Sequence, residues 1–498
     1  MRPDASTSPP RPAWGPVLLV STVVAATLLA LAGRYGPHRD ELYFLAAGHR
    51  LAWGYPDQPP LTPLLARLAD ALAPGSLFAL RAPSALAAAG TVVLAGLAAR
   101  ELGGGRAAQA LAALATACGA VVLVTGHLLS TATFDLLAWT AVTVLALRAL
   151  LRDAPRTWLA VGGVAGLALL NKNLVLALLA GLVVGVVLTP AARHHLRSPW
   201  AWGGAALALV LWAPNLLWQA TSGWPQLALA EDINAEYGVL GERLGYLAFQ
   251  LIQFSPLAVP LWVAGLVGLW RGRQGWAATR PLAWAYGLLF VGFLVVGGKG
   301  YYLGGLYPAL LAAGSVLVTQ HWAERPRLLA AVPVALVLGI LPALPSALPL
   351  LPPDRFAGSI WHTLGEDQAE TIGWPSFIDT VASAAASVPV DQRDTMVVLT
   401  ANYGEAGAVE WYGAGRDLPT VYSGHNGFGL WGPPPSGAGP VILFGFRDPP
   451  QNAFTGCRRA GVVDTGLDNE EDGRPVWLCD EPARSWAQLW PDLLHLDA

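Results

Sequence analysis

The chain has 498 residues, of which 54% are hydrophobic and only 13% charged, with a mean hydropathy of +0.46. Soluble proteins of this size carry about a quarter charged residues, so this composition indicates a polytopic membrane protein. A net charge of −3 without a clustered basic face excludes a nucleic-acid partner, and three cysteines exclude a disulfide framework or a cysteine-rich metal site.

In chain order, residues 1–13 are rich in Pro and Ser, carry Arg2 and Arg11, and read as a disordered cytoplasmic lead. The apolar run 14–32 is expected to be a membrane helix rather than a cleaved signal, because no cleavage site follows it and many spans do. Further runs near 78–98, 107–125, 131–147, 157–170, 173–189, 201–218, 246–269, 281–297, 302–320 and 329–350 predict about eleven helices in a membrane domain over 14–350. Some fall short of the ~20 residues that span a bilayer.

Arg100 and Arg106, then Arg148, Arg152 and Arg156, then Arg193 and Arg197, then Arg271, Arg273 and Arg280, then Arg325 and Arg327 fall in alternate loops. This positive-inside pattern places the N-terminus in the cytoplasm, and puts residues 33–77, 126–130, 219–245 and the tail from 351 outside. The first loop departs from it, with Arg34, Arg39, Arg50 and Arg67 beside its acids. The tail, 351–498, reads as a small α/β domain. TMVVLT, PVILFGF and PVWLCDE are expected to be buried strands, and GEAGAVEWYG a helix. Neither a P-loop nor a dinucleotide fingerprint occurs in it. Cys118, inside an apolar run, reads as core packing, whereas Cys457 and Cys479 could pair if the tail lies in an oxidising compartment.

The first loop carries the densest chemistry. HRDELYFLAAGHRLAWGYPDQPPLTPLL (38–65) opens on the adjacent acids Asp40 and Glu41 and continues at helical period, with Leu42, Leu45, Ala46, His49 and Trp53 on one face. Tyr43, Trp53 and Tyr55 are of the type that settles at a membrane surface, and Asp57-Gln58-Pro59-Pro60 breaks the helix. The expectation is an acidic site held at the bilayer surface by a helix lying in the interface. Asp135, in GHLLSTATFDLLAW, and the chain's two lysines, Lys172 in Asn171-Lys172-Asn173 and Lys299 in GGKGYYLGGLYP, fall on the same outer side. Carboxylates there can take a proton from an attacking hydroxyl, and cations can hold a phosphate leaving group. That chemistry calls for no metal and no redox cofactor.

Each group also has a structural reading. Asp40 and Glu41 suit the first turn of a helix, and Asp135 a cap or a partner for an arginine. The lysines suit helix-end anchors, and Tyr301, Tyr302 and Tyr307 an interfacial belt. His38, His49 and His127 lack metal-ligand spacing. Their co-location favours the functional reading. Two rivals stay open, a lipid-linked-sugar flippase or other transporter, which more often shows internal repeats, and a non-catalytic glycolipid-binding protein.

HRDELYFLAAGHRLAWGYPDQPPL, the later NKN after a Gly-rich span, and KGYYLGGLYP together resemble the bacterial dolichyl-phosphate-mannose–protein mannosyltransferase-like proteins. These are GT-C class membrane glycosyltransferases related to the lipid A aminoarabinose transferases. ANYGEAGAVEWYG followed by LPTVYSGHNGFGLWGPP is similar to the C-terminal domain of an actinobacterial-type branch, and the resemblance is clearest over residues 33–435. It implies a GT-C fold and an inverting, metal-independent and cofactor-free transfer on the extracytoplasmic side of a bacterial cell membrane. The donor would be a polyprenyl-phosphate sugar, and the acceptor a protein, lipid or glycan. Carried over by motif, the first-loop acid is Asp40 with Glu41 beside it, and the second-loop acid is Asp135. Phe134 precedes the latter where relatives often have proline. Lys299 becomes a donor-phosphate contact with Tyr301 and Tyr302 next to it. Lys172 matches the family's polar-Lys pair, and His425 and Asn426 are assigned no catalytic role.

Overall fold

A computed structural model describes residues 9–413, 415–467, 469 and 471–497. Its contacts divide the chain into two compact units, one of Met1–Ala30, Arg81–Ala220 and Ile233–Leu344, the other of Leu31–Leu80, Thr221–Asp232 and Pro345–Ala498.

The first unit is helical. Every predicted apolar run forms a helix or a bent pair of helices. Seven are long and apolar enough to cross a membrane: Trp14–Leu31, Leu77–Glu101, Thr131–Arg152, Pro199–Thr221, Arg273–Val296, Gly300–His321 and Pro326–Ala347. Three more candidates are bent pairs. Arg106–Ala117 turns 60° into Ala120–His127, Val175–Leu188 turns 117° into Pro190–Arg197, and Leu240–Ile252 turns 72° into Pro256–Arg271. Thr157–Leu169, at 13 residues, is too short to pass the same test. Among the described residues, length and composition thus support seven to ten crossings, against the eleven expected.

Lipid offers no hydrophobic drive between helices, so they associate through close backbone approach at small residues. Gly162 meets Gly204 where Thr157–Leu169 crosses Pro199–Thr221, and Gly265 and Gly314 do the same for Val259–Arg271 against Tyr307–His321. A Cβ at any of these four would strike the facing backbone. At one end of the bundle Glu101, 6% exposed, takes Arg100 at 2.7 Å and Arg152 at 2.6 Å. Arg152, counted as loop charge, therefore ties its helix to the one that ends at Glu101.

The second unit differs from its expected organisation. The first loop packs with the tail instead of standing alone. Its helix, Arg39–Gly48, stops before Trp53, and Glu41 to Gly48 are all buried. It is no interfacial helix, since an apolar stripe over a charged face is missing. Instead it lies against the tail helix Tyr403–Tyr412, whose glycines let the backbones touch. A Cβ on Gly407 would come 2.8 Å from Leu42, and one on Gly404 2.5 Å from Arg39. Tyr43 and Tyr55, expected at a membrane surface, are 1% and 2% exposed; only Trp53, at 59%, stays open.

Among the described residues the tail holds seven strands: β1 Val397–Thr400, β2 Val421–Ser423, β3 Val441–Phe444, β4 Phe454–Thr455, β5 Arg458–Val462, β6 Pro475–Cys479 and β7 Glu481–Pro482. Five form a sheet ordered β2-β1-β3-β6-β5, parallel across β2-β1-β3 and antiparallel beyond. β4 and β7 make a separate ribbon. β1 and β3 are buried throughout, as expected for central parallel strands covered on both faces. β1, β3, β6 and the helix after β1 fall where the sequence predicts them. Cys457 and Cys479 form a disulfide, and Cys118 is buried and free.

Candidate functional site

The helix Arg39–Gly48 is started by a capping box. The His38 ring accepts from the Asp40 amide at 3.1 Å, and the Glu41 carboxylate accepts from the His38 amide at 2.9 Å. Glu41 is fully buried and bound to its own helix end, with no surface for a ligand. Outside the helix, His38 lies 2.7 Å and Arg39 3.0 Å from Glu370.

Asp40 stays partly open, and its carboxylate accepts from the Tyr403 hydroxyl at 2.8 Å. A second acid faces a matching partner. Asp57, which sequence reasoning took only as part of a helix-breaking segment, accepts from the Tyr43 hydroxyl at 2.7 Å. Tyr55 N–H donates to Gln58 O at 2.8 Å, closing the turn that presents Asp57, and Gln226 donates to Tyr55 O at 3.0 Å. The rings of Tyr43 and Tyr403 are 4.7 Å apart, so the two acid–phenol pairs stand side by side. Burial pushes both phenols well above their ordinary range, which keeps them as donors. Burial also raises Asp57, and the Asp40 charge adds to this against the Tyr43 hydrogen bond, leaving its carboxyl at about 7. Two neighbouring carboxyls, each held by a buried phenol, are suited to acid–base work.

In the first unit the structure brings Asp135, Lys172, Tyr301 and Tyr302 together. Asn171 donates to Thr131 O at 2.8 Å, tying the NKN turn to the start of the helix that bears Asp135 one turn in. Asp135 is 7% exposed, with Lys172 as its nearest influential charge. The Lys172 ammonium donates to the Tyr301 hydroxyl at 3.3 Å and lies 5.0 and 5.2 Å from the Tyr301 and Tyr302 ring centres. Lys299 sits 5.1 Å from the ring centre of Tyr237. The segment carrying Lys299 and the tyrosines is fixed by a buried amide network. Gln250 donates to Gly300 O at 2.7 Å and accepts from Tyr307 at 3.0 Å, and Tyr307 meets Tyr286 at 3.2 Å. Tyr307 is completely buried, so it is a structural brace and not part of an interfacial belt.

Among the described residues two His/Asp groups have ligand atoms within 4.8 Å of one another: Asp153, His194 and His195, and His425, His495 and Asp497. His425 Nδ1 accepts from the Tyr403 amide at 3.3 Å and its Nε2 lies 2.7 Å from Asp497. With Nδ1 accepting, the proton sits on Nε2 and is donated to Asp497, which suits a structural hydrogen-bonded clamp. In the same way, His195 Nδ1 accepts from Trp158 at 3.3 Å.

The helical bundle joined to a small mixed sheet is the fold of the GT-C membrane transferases, and the chain is a multi-pass membrane protein of that architecture. Residues 57–218 match the model of the family described as dolichyl-phosphate-mannose-protein mannosyltransferase. Over 93% of this chain and 97% of the other, the structure superposes on ArnT from Cupriavidus metallidurans in the apo state, with a TM-score of 0.60 at 15% identity. The same protein bound to undecaprenyl phosphate gives 0.59 at 14% identity over the same shares. No curated protein sequence matches the chain. The resemblance read in the sequence, to PMT- and ArnT-like GT-C proteins, therefore holds in the family match over one segment and in the fold over nearly the whole chain.

Proposed function

We propose that the protein is an inverting glycosyltransferase that moves a sugar from a polyprenyl-phosphate donor to an acceptor hydroxyl on the outer face of a bacterial cell membrane. The observation that carries this reading is the pair of phenol-held carboxylates, Asp40 and Asp57, in the loop whose motif resembles the family's catalytic loop. The acceptor oxygen attacks the anomeric carbon from the side opposite the phosphate, and the carbon–oxygen bond to phosphate breaks. The lipid phosphate leaves with the bonding electrons, while the hydroxyl proton passes to Asp40. Glu41 is a positioning residue acting through the helix start. Lys299 and Lys172 stabilise the departing phosphate, Tyr301 and Tyr302 orient Lys172, and Asp135 balances its charge. Binding of undecaprenyl phosphate by the ArnT relative supports a polyprenyl-phosphate donor. The Cys457–Cys479 disulfide supports an oxidising, extracytoplasmic location for the tail.

The test uses the purified full chain in detergent with a panel of radiolabelled polyprenyl-phosphate sugars and an envelope extract as acceptor. Release of free lipid phosphate matched by label on the acceptor is expected for one sugar. Donor binding with no release in any acceptor background would instead make the protein a transporter or a sugar-lipid binder.

A further inference from the structure

A cavity of about 520 Å³ opens in the second unit beside Arg39, the residue next to Asp40. No step of the proposed transfer uses it. Its volume is that of a small-molecule site, and its walls are of two kinds.

One wall is apolar and rigid. Trp374 and Phe377 contribute it, 4% and 2% exposed and set edge-to-face at 5.3 Å. The Trp374 indole N–H is already engaged with Glu370 O at 3.0 Å, so its ring offers only carbon surface. The other wall is polar, with Glu366, Glu370, Glu471, Asn402 and Asn469. Asn469, which lines the cavity, donates to Ile372 O at 3.2 Å, and its carbonyl oxygen is buried without a protein partner. Asn402 is steered the other way. Its carbonyl caps the Tyr403–Tyr412 helix by accepting from Glu405 N at 2.8 Å, which turns its amide toward Glu471 at 3.4 Å. The Glu471 carboxyl meets that of Glu405, and two carboxyls buried in contact hold one proton between them.

The charge sum selects the ligand. Three acids line the cavity against one arginine and one histidine, His362, and Arg39 is already paired with Glu370 at 3.0 Å. A phosphate or another anion is repelled. A saccharide ring satisfies both walls, with a C–H face for the aromatic side and an edge of hydroxyls that can donate to carboxylates and to the Asn469 oxygen and accept from Asn402. We propose that this cavity is a saccharide subsite for a neutral or amino-bearing sugar. Its identification as part of the transfer site rests on the function proposed above; the sugar then belongs either to the acceptor glycan or to the donor.

The test is saturation-transfer NMR on the full chain in nanodiscs with mannose, arabinose, glucosamine, N-acetylglucosamine and their disaccharides, and with inorganic phosphate as the anionic control. Four proteins are compared: wild type, Asp40→Asn, Asn469→Ala and Thr363→Trp. Thr363 is an exposed lining residue, so the tryptophan fills the cavity without disturbing the core. Wild type and Asp40→Asn are expected to bind at least one sugar equally, and the two cavity variants at least tenfold more weakly, with phosphate failing to compete. No binding by any sugar, equal binding by Thr363→Trp and Asn469→Ala, or displacement by phosphate would each overturn the proposal. The source of the sugar follows from transfer kinetics of Asn469→Ala. A raised half-saturating acceptor concentration assigns the cavity to the acceptor, and a raised donor value assigns it to the donor's sugar. Sugar binding without any donor turnover would defeat the transferase reading and leave the subsite standing. Turnover untouched by both cavity variants would do the reverse.

Discussion

Replacing Tyr43 by Phe removes one hydroxyl and leaves the ring that packs against Tyr403. That hydroxyl donates to Asp57 at 2.7 Å and so favours the charged carboxylate, whose proton leaves at about 7 with this bond in place. A hydrogen bond to a charged group contributes about 1.5–3 kcal/mol, which at about 1.4 kcal/mol per unit corresponds to roughly one to two pKa units. The proposed reaction needs Asp57 ionised, so kcat/KM of the wild type should rise with pH through a limb near 7. In Tyr43→Phe that limb should move upward by about one to two pH units, and in Asp57→Asn it should vanish at a lower plateau. The measurement is free polyprenyl phosphate released against pH from 5 to 9. Tyr43 also accepts from the Gly427 amide at 3.1 Å, so the variant leaves that N–H unpaired and should lose about 1–3 kcal/mol of stability, which a thermal melt records separately. Stability gives an independent sign. A carboxyl whose folded pKa lies above its unfolded value binds more protons in the folded state between about 4 and 7. The Asp57 contribution therefore favours folding at the acid end of that window and is lost as pH rises through 7; the difference between wild type and Asp57→Asn should show this slope. A wild-type limb near 4, or one that Tyr43→Phe leaves in place, would refute the reasoning.

Other outcomes follow from the same geometry. Gly407→Leu inserts a side chain where a Cβ already stands 2.8 Å from Leu42; overpacking of this kind costs about 1–3 kcal/mol, and protease sensitivity of the first loop should rise with it. Glu41→Gln loses the charged half of the capping box, so a melt should show about 1 kcal/mol of destabilisation with turnover falling no further than that of other equally destabilised variants. Reducing Cys457–Cys479, which closes a separation of 22 residues, should destabilise the tail by about 3 kcal/mol on the chain-entropy model, seen as a lowered denaturant midpoint for its tryptophan signal. Lys299→Ala should raise the half-saturating donor concentration roughly tenfold or more while the pH limb stays in place.

Much of the fold was legible because bilayer spans announce themselves by length and hydropathy, and β1 and β3 by unbroken apolar runs. β2, with three residues, and β5, which carries Arg458 and Arg459, gave no such signal. Bends also hide in the sequence, since Cys118-Gly119 reads as a continuation of its run and turns 60°. The candidate site was half legible. Asp40, Asp135 and both lysines stood out as ions among apolar residues. Asp57 did not, because its prolines explained it as a turn and its partner Tyr43 lies one turn into a helix whose burial no local pattern shows. The union of the first loop with the tail was the least legible feature. Asp40 and Tyr403 are 363 residues apart, and only the paired glycines Gly404 and Gly407, spaced for one helix face, could have signalled a close helix neighbour. Periodicity over Leu42 to Trp53 suggested a face for lipid, whereas the chain breaks at Gly48 and buries every side.

The most direct test of the central claim is a single-turnover experiment with donor preloaded on wild type and on Asp40→Asn. Both proteins should bind the polyprenyl-phosphate sugar with similar affinity, and acceptor addition should release free lipid phosphate from the wild type at a rate at least a hundredfold greater. Equal release from Asp40→Asn would contradict Asp40 as the base, and no release from either protein would contradict sugar transfer itself.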